Sequence, residues 1–117
     1  MNTAYHALVL LNASEVETRR AIDSWFSANG FTRTSAIDGT PMRASRGSVI
    51  GITDHQTARM IEVIVKAQRD VVAVSVSHRT TGFIFFQGTM LGNILQSEAE
   101  ALLEFIRQEV DPRALKR

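Results

Sequence analysis

The sequence predicts an α+β domain: an antiparallel sheet of five or six strands with two helices on one face, in the order β-α-β-β-β-β-(β)-α. Three observations predict it. Two S-x-x-E sequences each open an apolar stripe of helical period. Residues 59–79 fold onto themselves as a hairpin that brings the apolar sets of both strands to one face. The remaining segments are short, alternating and bounded by turn residues, as strands are.

The elements follow in chain order. "ALVLL" (7–11) reads as a first strand, apolar on both faces. Ser14-Glu15-Val16-Glu17 forms a capping box, in which the serine oxygen accepts from the third helical N–H. Behind it Thr18, Ala21, Ile22, Trp25, Phe26 and Ala28 share one side at 100° per residue, and Asn29-Gly30 ends the helix. Val16 falls off that stripe. "FTRTSAI" (31–37) is a second strand, and Asp38-Gly39 and Pro41 supply turn chemistry. "SVIGITD" (48–54) is a further short strand.

The hairpin is the firmest element. With a turn centred on Arg69-Asp70, Val72 faces Ala67, Val74 faces Val65, Val76 faces Val63 and His78 faces Ile61, all on one face. The other face pairs Lys66 with Ala73, Ile64 with Ser75, Glu62 with Ser77 and Met60 with Arg79. Arg-Asp is not a favoured two-residue turn, so a four-residue loop of the same parity is the alternative. Ser97-Glu98-Ala99-Glu100 is the second capping box. Ala99, Leu102, Leu103, Ile106 and Val110 then form the stripe of the last helix, which Asp111-Pro112 ends. Residues 1–112 are expected to form one domain, with 113–117 a short basic tail.

This order of elements resembles a single repeat of the TATA-box-binding-protein-like folds and the helix-grip folds with their extra strands. The resemblance lies in the string of elements, and it implies a layout and no function.

Composition excludes several functions. Thirteen basic and twelve acidic residues among 117 leave a net charge of +1, so no global field draws the chain to nucleic acid or an anionic membrane. No run approaches the ~20 apolar residues of a membrane span. Without cysteine there is no disulfide, thiolate metal site or cysteine nucleophile, and a cytoplasmic location is expected. No phosphate-loop, dinucleotide, zinc-protease or nucleophile-elbow motif occurs, and no cofactor or metal is expected. Asp54 and His55 are adjacent and read as part of a turn.

Candidate binding residues are few. "TTGFIFFQGTMLGNILQS" (80–97) has three phenylalanines in four residues and no charge until Glu98 follows it. Such a composition favours order and burial. The segment reads as a strand at Phe83–Phe86 followed by a bend into the last helix. His78, Phe83, Phe85, Phe86 and Met90 are the candidates for a pocket taking an apolar small molecule, with His78 as its polar group. Arg43 and Arg46, with Ser48, are candidates for holding an anion, a solvated hairpin being the plain alternative. A mild outer sheet face (Ile64, Ala73, Ser75, Ser77) beside "ALVLL" points to a cover, and a second copy of the chain supplies one. The expectation is thus a small homodimeric binding or interaction module, not an enzyme, with a ligand pocket as the alternative.

Overall fold

The computed structural model describes residues 4–35, 41–47, 50–51, 58–69, 71–80, 83–84 and 89–111. Among the described residues there are seven strands and two helices: β1 Ala4–Leu11, α1 Glu15–Ala28, β2 Thr32–Arg33, β3 Met42–Arg46, β4 Ile50–Gly51, β5 Arg59–Gln68, β6 Val71–Thr80, β7 Phe83–Ile84 and α2 Thr89–Val110. Five strands form one antiparallel sheet in the order β1-β6-β5-β3-β2, and β4 pairs with β7 in a separate parallel ladder.

The hairpin register is the one that parity demands. Val63 pairs with Val76, Val65 with Val74 and Ile61 with His78. All six side chains are buried on one face, because β residues alternate faces and only one phase puts every valine inward. Gln68 pairs with Val71, so the connection is the two-residue turn, with Arg69 at φ 48°. A positive φ at the first turn position matches the right-handed twist of the flanking strands, which overrides the poor turn propensity of arginine.

Helix α1 begins as its capping box requires: Ser14 Oγ accepts from the Glu17 N–H at 3.1 Å. It ends with the Phe31 N–H donating to the Phe26 carbonyl at 2.9 Å around Gly30 at φ 77°, the left-handed closure that glycine takes without a Cβ clash. Thr18, Ala21, Ile22, Trp25 and Phe26 are buried as the stripe predicts, whereas Ala28 in the last turn is exposed. The inner faces of α1, α2 and the sheet close one core around Ile22, Phe26, Met42, Val63, Val74, Leu102 and Ile106.

Two elements differ from the sequence reading. Residues 42–46, read as turn and solvated hairpin, are strand β3, paired with β5 through Met42↔Val63 and Ala44↔Ile61. Met42 and Ala44 are fully buried. Five residues alternating in and out are too short a pattern to stand out between turn residues, and the partner strands decide it. Helix α2 starts at Thr89, not at Ser97. Ile94 and Leu95 are buried and carry the apolar stripe one turn further back, so Ser97 lies exposed inside the helix.

The difference is testable. Ser14→Ala should cost about 1 kcal/mol, the typical loss of an N-cap. Ser97→Ala should be neutral or stabilising by a few tenths of a kcal/mol, since alanine is the better interior helix former. Equal losses at both sites in urea denaturation would place a helix start at Ser97 after all.

Candidate functional site

At the first residue of β5 and near the end of β6, the hairpin turns polar on its inner face. Parity carries the valine face outward through Ile61 to Arg59, and through His78 to Thr80, and Arg59 pairs with Thr80. All four are buried, Arg59 at 1% and His78 at 0% exposure. Buried charge requires a partner, and α2 provides it. Glu98 lies three residues after Leu95 and four before Leu102, which places a carboxylate in the apolar stripe. Its oxygens take a two-pronged bond from Arg59, Nε to Oε1 at 2.6 Å and an Nη to Oε2 at 2.8 Å. His78 Nε2 lies 2.8 Å from the same Oε1.

The second ring nitrogen of His78, Nδ1, lies 3.1 Å from the Met60 carbonyl. A carbonyl and an ionised carboxylate can only accept, so the arrangement is satisfied when each ring nitrogen carries a proton. Phe31 covers the ring, with centroids 5.8 Å apart. Burial alone would push the Glu98 carboxyl up. The hydrogen bonds from His78 and Arg59, with the charge of both, instead hold it at about 2, against an ordinary value of 4.5.

A third cation borders the cluster. Arg46, the last residue of β3, donates to the Asn29 carbonyl at 2.9 Å and stands 3.7 Å from Glu98 Oε2. Its side chain is 44% exposed. Two guanidiniums and one ring nitrogen of His78 thus converge on one carboxylate. Every buried side-chain nitrogen and oxygen among the described residues has a partner, and no group of three His, Asp or Glu there is placed to hold a metal.

Of the predicted site residues, the structure brings His78 and Arg46 to this corner and sets Arg43 apart. Arg43 points to the opposite face of β3, where it pairs with Glu62 at 3.5 Å, because residues three apart on a strand face opposite ways. Phe83 lies in β7, whose backbone pairs with Ile50, and Met90 in the first turn of α2. Phe85, Phe86 and Ser48 lie outside the described residues. The sequence reading missed Arg59 and Glu98. Both were within reach of its own rules: extending the hairpin parity by one pair puts Arg59 on the core face, and stepping back four residues from Leu102 puts Glu98 on the core stripe.

A groove of about 340 Å³ runs between α1 and α2, lined by Glu17, Arg20, Ala21, Ser24, Phe105 and Glu109 among others. Its polar groups are exposed and do not converge, so the buried cluster is the better candidate site.

No family model matches the chain, and no curated protein sequence does. Solved structures do. The crystal structure of Ara h 8.0201 superposes with a TM-score of 0.54 at 6% identity, covering 92% of this chain and 97% of that one. The di-domain ARO/CYC StfQ from the steffimycin biosynthetic pathway superposes with a TM-score of 0.57 at 10% identity. It covers 97% of this chain, which spans 52% of that protein. The fold is therefore of the Bet v1-like, helix-grip kind: an antiparallel sheet gripping a long C-terminal helix. Among the described residues no helix is long and apolar enough to cross a membrane.

Proposed function

We propose that the protein is a binding module for an apolar small molecule with an anionic end, held where α2 crosses the β5–β6 hairpin. The observation that carries this reading is the buried Arg59–Glu98–His78 cluster with Arg46 at its rim. Buried ion pairs are a poor device for stability, because desolvation offsets most of their attraction. Their presence in an otherwise apolar layer fits a site that orients a ligand's polar end. Arg46, its side chain 44% exposed beside Glu98, is the guanidinium open to an anion from solvent. The uncharged sequence 83–91 is the proposed source of the apolar contacts. Both nitrogens of His78 are engaged, which fits binding better than proton transfer. The fold neighbours add a precedent: one of them is an ARO/CYC protein of a biosynthetic pathway.

Decanoate, kept below its micelle concentration, is the probe and decanol the control. Decanoate at a hundred times its Kd should stabilise by about 2.7 kcal/mol, roughly a 10 °C rise in Tm for a domain of this size. Decanol should give a much smaller rise, and Arg46→Gln should reduce the decanoate effect toward that of decanol. Equal rises with acid and alcohol would remove the anionic end from the proposal. No rise with either would remove the ligand reading altogether.

A further inference from the structure

The outer face of the sheet and its long edge carry a feature that ligand binding does not use. Strand β1 is a sheet edge, paired with β6 residue for residue from Ala4↔Arg79 to Leu11↔Val72, with no bulge. Among the described residues no strand pairs with its other side. The eight residues AYHALVLL contain no charge, no proline and no glycine. Exposed edges are ordinarily blunted by lysine, proline, a bulge or shortness, and β1 has none of these. The opposite edge, β2, is only two residues long.

The same strand holds the most exposed apolar side chains. Leu8 is 67% and Leu10 59% exposed, and Ile64 at 44% continues the patch across Ser75, which pairs with both Leu8 and Ile64. Charges occupy the other part of this face. Glu62 bridges Arg43 at 3.5 Å and Arg79 at 3.2 Å, and Lys66 is exposed on β5. Stacking two sheets face to face would bury that ion-pair network. Pairing at the edge leaves it in water and joins the two apolar strips.

We propose that β1 is a self-pairing edge, through which a second copy of this chain adds antiparallel across a two-fold axis at Leu8. Opposed residues of antiparallel strands share a face, so self-pairing requires residue numbers that sum to an even number. The two-fold at Leu8 satisfies this and overlaps residues 5–11. Leu8 meets its own copy and Leu10 meets the partner's His6, all on the outer face. Tyr5 meets the partner's Leu11 on the inner face. No opposed pair carries a formal charge opposite a like charge, and the interface is isologous, as a closed dimer requires. The charge distribution and the symmetry of the uncharged strand select a second copy as the occupant.

Because the chain lacks cysteine, single cysteines report the register. Light scattering behind size exclusion should give twice the 13.0 kDa chain mass at tens of micromolar. Leu8→Cys should oxidise to a covalent dimer, since directly opposed Cα atoms lie about 4.5–5.5 Å apart, within disulfide reach. Leu10→Cys should not, because four residues of offset separate the two copies by about 14 Å. Leu8→Lys should give a monomer with an unchanged circular dichroism spectrum. A wild-type monomer at these concentrations, a dimer untouched by Leu8→Lys, or crosslinking at position 10 in place of 8 would each overturn the proposal. A monomer that binds decanoate would overturn it while leaving the ligand site standing.

Discussion

Glu98→Ala is expected to destabilise the protein by about 3–5 kcal/mol, the cost of removing one partner from a buried ion pair. Arg59 and His78, at 1% and 0% exposure, would face each other with no carboxylate between them. Glu104→Ala, on the exposed side of the same helix, should change stability by no more than ~0.5 kcal/mol. Urea midpoints compare the two directly, and equal losses would reduce the cluster to an ordinary surface pair. Replacing all three members by apolar residues of similar volume should recover most of the loss, as buried ion clusters commonly allow. That triple variant should still fail to respond to decanoate, which would separate what the cluster does for folding from what it does for a ligand.

The same carboxylate shapes the response to acid. Glu98 is held at about 2 in the folded protein against 4.5 ordinarily, so the folded state binds its proton more weakly than the unfolded chain does. A depressed carboxylate contributes its full stability above the unfolded value. That contribution should therefore be complete above about pH 5, decline as pH falls through 4.5, and be gone near pH 2. Glu98→Gln should be less stable at neutral pH and show a shallower loss across this window. Parallel pH profiles for the wild type and Glu98→Gln would assign the acid response to other carboxylates.

Phe26→Ala is the second large effect, also about 3–5 kcal/mol, or a fall in Tm of roughly 12–20 °C for a domain of this size. Phe26 is 1% exposed, and its ring centroid lies 6.3 Å from that of Trp25 and 6.2 Å from that of Phe31. The three rings fasten the end of α1 over the sheet, and Phe31 passes the contact on to His78. Truncation leaves a cavity in a region tied by backbone bonds from Asn29 and Phe31 to the Phe26 carbonyl, which limits collapse into the space. Val16→Ala on the same helix, at 58% exposure, should cost no more than ~0.5 kcal/mol. A loss below about 1 kcal/mol at Phe26 would show that the ring is not part of the core.

What the sequence by itself determined is what short-range periodicity controls. The β5–β6 hairpin was legible to the residue, because a one-residue slip of β6 would turn Val72, Val74 and Val76 outward together. Both ends of α1 were legible because their partners are local in sequence: Ser14 accepts from the Glu17 N–H, and Gly30 turns the chain so that the Phe31 N–H reaches the Phe26 carbonyl. The end of α2 was legible too, since Asp111 stands ahead of Pro112: its N–H donates to the Arg107 carbonyl at 3.0 Å, and its carboxylate accepts from the Asn12 N–H at 2.9 Å. Tertiary structure alone decided the rest. S-x-x-E at Ser97 has the letters of a cap, but the buried Ile94 and Leu95 pull the helix back past it, since burial outweighs a capping bond of about 1 kcal/mol. Strand β3 exists because β5 offers it an open edge. The site itself joins residues 59, 78 and 98, whose two hydrogen-bonded pairs are 39 and 20 positions apart in sequence. No local pattern encodes such a meeting: the chain supplies a polar side chain at each inward position, and only the packing of α2 against the hairpin brings the three together.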